Sequence, residues 1–311
     1  MQTTKQSMMD GLRRDLDALE AGWYRSATKN AGEPEILRSG WDALDAVLPS
    51  GGFRRGALHE WLPGRGPPPG DGMGDGPAAP EARDGAGKAG GAGAGRTRVR
   101  QRWRPPLHLL THLTSRALGP ERGAASGVPT GEDDAGCRVV WVGDHTMPAP
   151  ASLCQGRREC TVDVLSRSLF VRPPDRDSRV WAMDLALRSD AVRVVIGDAS
   201  GLDRAAHRRL QLAAGAGRAI GLLVRPPWER TGFSCASTRW WVMPAISPDL
   251  NQRWNVHLLR CKGMQPAART PRAWVIERDH ATGHLTLADE LARRSDSAAS
   301  TTAPSTERQR A

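Results

Sequence analysis

The sequence predicts an α/β protein: a mostly parallel, twisted sheet flanked by helices and extended near its C-terminal end by antiparallel strands. Three observations predict it. Between residues 138 and 224, short β-branched runs alternate with stretches of helical apolar spacing, the pattern of a parallel sheet covered on both faces. From residue 239 to residue 287, strand-like runs follow one another with no helix between them, as antiparallel pairing allows. Residues 64–104 form a Gly/Pro/Ala/Arg tract with no apolar period and too few large side chains to offset the entropy of ordering it. We expect that tract to be a disordered insertion.

The elements follow in order. Met9, Leu12, Leu16 and Leu19 recur at helical spacing among charged residues, which predicts an amphipathic helix over residues 6–22 within an N-terminal segment, 1–30. Its apolar stripe needs a cover, either this chain's own core or a partner protein. The core spans 31–290 and opens with SGWDALDAVLPSGGFRRGALHEWL over residues 39–62: a turn of helix, a Gly-Gly hinge and a short apolar strand. After the insertion, Pro106 opens a helix whose apolar face is Leu107, Leu110, Leu113, Ala117 and Leu118. Residues 119–136 are a second low-complexity stretch. Strands are expected over 138–143, 165–171, 192–197 and 219–224. A short helix is expected within 152–160, another capped by Ser178 with Val180, Met183 and Leu187 on one face, and a third starting at Asp203 and stopped by Gly215. Strands over 239–243 and 255–259 and a hairpin of 272–277 with 284–287 complete the core, and 291–311 is a polar tail.

Composition excludes some classes. The five cysteines are odd in number and form no C-x-x-C pair, so a reducing cytoplasm is expected. No apolar run reaches 18 residues, and the first 23 residues include acidic side chains and no apolar h-region, so neither a membrane span nor a signal peptide is expected. The formal charge of +10 comes almost wholly from arginine, with lysine only at Lys5, Lys29, Lys88 and Lys262. Such a balance fits contact with nucleic acid, and fits equally the codon bias of a GC-rich genome.

What the first strand lacks is as informative. A phosphate-binding loop, G-x-x-x-x-G-K-[ST], belongs directly after such a strand, where its backbone N–H groups and Lys hold phosphates. Residues after Gly64 contain none in that place. Gly85, Gly87 and Lys88 imitate it but have Ala82 for the leading Gly and Ala89 for the hydroxyl. Gly90, Gly95, Arg96 and Thr97 have the spacing with Arg for Lys, and RVRQRWRPP follows where a helix should begin. No cofactor is expected, and ATP binding is not.

The segments SGWDALDAVLPSGGFRRGALHEW, RVVWVGDHTMPAPASL, LFVRPPDRDSRVWAMDLALRSDAVRVVIGDASGLDRAAHRRLQLAA, AIGLLVRPP and WNVHLLRCKG resemble a RecA-like core and, more closely, the ImuA family of damage-induced mutagenesis proteins. They cover about two thirds of the chain. The resemblance implies a cytoplasmic protein, nucleoid-associated when DNA is damaged. Its partners would be an ImuB-type polymerase subunit, a second DnaE-type polymerase and RecA, in translesion synthesis under the SOS response.

The resemblance also assigns a vestigial nucleotide site. Asp198 closes an apolar strand where a Walker B Asp would hold Mg²⁺ through water; an Asp there equally caps a turn. Asp144 stands near the place of the general base, and Arg225 with Pro226 replaces the γ-phosphate sensor. Arg260 and Lys262 match two cations that reach phosphates across a RecA interface, and strand alternation puts both on one face. With loop, base and sensor lost together, no catalysis of phosphoryl transfer is expected, so the chain is read as a non-enzyme.

The first DNA loop of RecA is reduced to ASGL after Asp198, while the second is present as RPPWERTGFSCASTRWW. There Arg225, Arg230 and Arg239 could meet phosphates and Trp228, Phe233 and Trp240 could stack on bases of single-stranded DNA; a protein partner would suit the same loop. The N-terminal stripe of Met9, Leu12, Leu16 and Leu19 matches the place where RecA protomers link. His108 and His112, at helical spacing, lack a third ligand, so no metal is expected. The reading is a non-hydrolysing RecA-like accessory protein of translesion synthesis. A DNA-dependent ATPase and a SulA-like division inhibitor are the alternatives.

Overall fold

A computed structural model describes residues 35–64, 103–119, 137–154, 164–264 and 273–288. The expectations for residues 6–22, for 65–102 and 120–136 of the two insertions and for the tail lie outside these residues. Gly64 and Trp103, counted in the first insertion, belong to the folded chain, Gly64 donating its N–H to Val242 and Trp103 being buried against His145.

Nine strands form one sheet in the order β11-β10-β9-β8-β3-β7-β6-β4-β5. They are β3 (Leu58–Pro63), β4 (Arg138–Val142), β5 (Ser168–Val171), β6 (Val192–Asp198), β7 (Ile220–Val224), β8 (Thr238–Ala245), β9 (Gln252–Cys261), β10 (Ala273–Arg278) and β11 (Leu285–Leu287). From β5 to β8 every neighbouring pair is parallel. β8 with β9, β9 with β10 and β10 with β11 are antiparallel. The mixed α/β architecture and the antiparallel extension therefore stand as the sequence predicts. A two-stranded ribbon, β1 (Ile36–Leu37) with β2 (Phe53–Arg54), precedes β3 and was not predicted.

Strand alternation sorts the apolar residues onto two faces. One face carries Trp61, Val139, Trp141, Val194, Ile196 and Trp240, packed with helix α2 (Leu107–Leu118) through Leu109, Leu110 and Leu113. The other carries Leu58, Val140, Val142 and Val195 under α4 (Arg176–Arg188) and α5 (Arg204–Gly217), which bury Met183, Leu187 and Leu210. Two short helices, α1 (Asp42–Asp45) and α3 (Pro150–Cys154), complete the described elements.

β8 and β9 run longer than expected, β5 starts later, and three helix boundaries differ from the sequence reading. α4 is capped by Asp175, whose carboxylate accepts the Ser178 N–H at 2.8 Å and the Ser178 hydroxyl at 3.0 Å. Ser178 is thus the capped residue and not the cap, because the Asp directly after Pro173-Pro174 reaches the free N–H groups first. α5 is capped by Asp203 as expected, through the Ala206 N–H at 2.8 Å. It runs past Gly215 and stops at Arg218, which takes the left-handed conformation with φ 57°. α3 begins at Pro150, two residues before the expected range, since proline suits a first helical turn.

Candidate functional site

The carboxyl ends of β4, β5, β6 and β7 open onto a cleft of about 740 Å³. In open parallel sheets this edge is where ligands sit. Its floor is Asp198, the last residue of β6, almost wholly removed from water. Its Oδ1 accepts the Ser200 N–H at 2.9 Å, closing the turn after the strand. His145 Nδ1 lies 2.8 Å from Oδ2, and Arg179 of α4 reaches the same oxygen at 3.5 Å while donating to the Ser200 carbonyl at 2.6 Å. Trp103 stacks on the His145 ring at 4.3 Å. Gly143 makes this packing feasible: its φ is 106°, and a Cβ there would lie 2.6 Å from the Asp198 Cβ.

The turn-capping reading of Asp198 is therefore what the geometry displays, with an imidazole and a guanidinium beside the carboxylate. Asp144 turns outward, and its Oδ1 accepts from Arg172 Nε at 2.8 Å with both side chains largely in water. Arg260 near the end of β9 and Lys262 just beyond it both reach one loop. Each donates to a backbone carbonyl of the loop between β7 and β8: Arg260 to Ser234 at 3.1 Å and Lys262 to Cys235 at 2.9 Å. They are four strand spacings from β6 in the sheet, about 19 Å, so they do not join the Asp198 cleft.

The loop residues divide sharply. Arg225 and Arg239, expected to face DNA, are buried, and so is Trp240. The cause is Glu60 in the middle of β3, which no solvent reaches. Its Oε2 accepts from Arg239 Nε at 2.7 Å and its Oε1 from Arg225 Nη1 at 3.3 Å. A buried carboxylate must be paired, and the two guanidiniums supply the partners. Their remaining N–H groups clamp the loop: Arg239 donates to the carbonyls of Arg230 at 2.6 Å and Gly232 at 3.0 Å, and Arg225 to that of Phe233 at 2.8 Å. Trp240 packs between Trp61 and Trp274 in the core, its Nε1 donating to Thr238. What the clamped loop shows to solvent is Trp228, 52% exposed, and Phe233, 40% exposed, with the Arg204 guanidinium 4.8 Å above the Phe233 ring. Arg230 stands between them, partly exposed. Glu229 ties the loop to the cleft by accepting the Gly201 N–H at 2.8 Å.

Sequence reasoning missed Glu60, Arg179, Trp103 and His207, and it placed His145 beside Asp144 near the general-base position without pairing it with Asp198. A signal existed for the first: two ionisable residues, His59 and Glu60, interrupt the otherwise apolar LHEWL. His207 of α5 is buried with Nδ1 3.6 Å from Glu60 Oε1, and neither ring nitrogen has a hydrogen-bond partner among the described residues. Burial pushes its imidazole down to about 4. His59 is pushed to about 4 for the same reason, its ring lying 2.8 Å from Thr238 Oγ1. His112 is structural, with Nε2 2.8 Å from the Ser39 carbonyl and its ring stacked on Trp41. Among the described residues no group of three His, Cys, Asp or Glu could hold a metal, and no helix is long and apolar enough to cross a membrane.

No family model matches the chain. The RadB recombinase structure covers 81% of this chain and 99% of its own, at 11% identity and a TM-score of 0.46. Two proteins named Protein ImuA, from the NA1000/CB15N and ATCC 19089/CB 15 strains of Caulobacter vibrioides, are each 29% identical over 202 residues, which is 58% of this chain and 78% of theirs. The chain is thus similar, over more than half its length, to proteins of the ImuA name.

Proposed function

We propose that this chain is a non-hydrolysing RecA-like accessory protein of the ImuA type, which helps assemble an error-prone polymerase complex at damaged DNA in the bacterial cytoplasm. The strand order and the similarity to Protein ImuA support the RecA-like, ImuA-type part of the reading. One observation carries the non-hydrolysing part: the Asp198 carboxylate caps its own turn and pairs with His145, so the group best suited to hold a nucleotide's Mg²⁺ already has protein partners on both oxygens. Beside it, no phosphate-binding signature follows Gly64 in the sequence. Partners are an ImuB-type polymerase subunit, a DnaE-type polymerase and RecA. The Trp228–Phe233 loop, with Arg204 and Arg230, contacts single-stranded DNA by stacking and charge.

Two measurements test this. Phosphate release by the purified chain, with and without single-stranded DNA, should stay at the background rate; steady turnover abolished by Asp198→Ala would refute the non-hydrolysing reading. Co-purification with an ImuB-type subunit expressed from the same genome is the expected result for the adaptor role, and its failure with both proteins folded would remove that role.

A further inference from the structure

The outer surface of α4 and α5 carries three large apolar side chains in water: Trp181, Leu185 and Leu212, exposed by 59%, 57% and 53%. Trp181 and Leu185 are one helical turn apart and turn away from the Met183–Leu187 side that packs on the sheet. Leu212 holds the same outward position on α5, opposite Leu210 and Ala213. The two helices are bound to one another by Asp184, which accepts from Arg209 of α5 at 3.1 Å and from Arg188 of α4 at 3.3 Å. The three residues therefore sit on a single surface two helices wide, larger in apolar content than scattered surface residues account for.

The chain itself holds a segment of matching chemistry. Outside the described residues, large apolar side chains at helical spacing occur only in residues 6–22, at Met9, Leu12, Leu16 and Leu19; the other stretches hold isolated residues such as Met73, Val128 and Leu291. The place where the described chain starts is decisive. Glu35 is fixed at the C-terminal end of α5 by Arg218, 3.3 Å away, and by Arg55 at 2.9 Å. That is the amino edge of the parallel strands, on the side of the sheet that α5 covers. The other exposed apolar residues of loops, Trp228, Phe233, Ile246 and Leu250, follow β7 and β8 at the opposite edge.

Reach and charge agree. Residues 23–34 can extend about 40 Å, and a helix over 6–22 is about 25 Å long, against about 20 Å for α4. The segment carries Asp10, Asp15, Asp17 and Glu20 against Arg13 and Arg14, a net −2. The exposed charged residues of α4 and α5 are Arg176, Arg188, Arg204, Arg208 and Arg209 against Asp177, a net +4.

We infer that residues 6–22 dock as a helix on the chain's own α4/α5 surface, laying Met9, Leu12, Leu16 and Leu19 over Trp181, Leu185 and Leu212. The docked segment is a third layer on that side of the sheet. Of the two covers open to its apolar stripe, the chain's own surface is the one within reach.

Hydrogen–deuterium exchange of the full chain tests it. Amides within 9–20 should exchange at least about tenfold more slowly than an open chain. The double substitution Trp181→Asp with Leu185→Asp should return them to the open-chain rate, while amides of β6 and β7 stay slow and show that the core is folded. Light scattering should report one chain throughout. Absent protection, or protection indifferent to the double substitution, overturns the inference. Protection that disappears on dilution together with a fall in mass assigns the surface to a second copy, and protection seen only after adding an ImuB-type protein assigns it to that partner; either result overturns docking within one chain.

Discussion

Glu60 Oε2 and Arg239 Nε lie 2.7 Å apart in the centre of the sheet, both side chains closed off from water. Their pairing is what gives the β7–β8 loop its shape, since the rest of the Arg239 fork holds the carbonyls of Arg230 and Gly232. Replacing Glu60 by Ala should leave the buried Arg239 guanidinium without a counter-charge and Arg225 with Glu229 alone, and cost about 3–5 kcal/mol. Urea unfolding would measure that loss, and exchange at residues 230–233 would rise before global unfolding.

Acid should destabilise the fold in a defined window. In the unfolded chain His59 and His207 take up protons near 6.5, whereas burial holds both near 4 in the folded chain. Between those values the unfolded state binds more protons, so stability is complete above about pH 6.5 and falls as the pH drops to about 4. Each histidine contributes up to about 3 kcal/mol. Urea midpoints at pH 7 and pH 4.5 check this, and His207→Leu should lessen the difference by about half.

Gly143→Ala should destabilise by about 1–3 kcal/mol from its positive φ, with a further loss from contact with Asp198. The expected effect is a lower melting temperature with His145 displaced from Trp103. A wild-type melting temperature would show that the turn relaxes freely.

On the proposed DNA-binding reading, Trp228→Ala should weaken single-stranded DNA binding by about 1–3 kcal/mol with little change in stability, because the ring is half in water. Fluorescence anisotropy of a labelled oligonucleotide measures it. Trp240→Ala should do the reverse: its ring fills the core, so stability falls by about 3–5 kcal/mol.

Much of the fold was legible because its signals are local. The β-branched runs that became β4, β6 and β7, and the apolar spacing of α2, α4 and α5, each fix an element without help from distant residues. The site was legible only in part, because burial is a property of the sheet and not of a segment. Arg225 and Arg239 look alike to Arg230 in the sequence, and only their register beside Glu60 takes them out of water. In the same way Asp198 announces itself at a strand end, while His145 and Trp103 become its neighbours through crossovers that spacing does not reveal.

Gly64 donates its N–H to the Val242 carbonyl at 2.6 Å, and Trp103 lies stacked on His145. The chain that links them, residues 65–102, thus runs between two fixed posts at one edge of the sheet. For the disordered link that the sequence predicts there, the entropy of closure would grow only with the logarithm of its length, and doubling or halving it would change stability by about 0.6 kcal/mol. On that expectation this position is the port for engineering: a reporter domain spliced in, or the link trimmed to a short spacer, would leave both anchors in place.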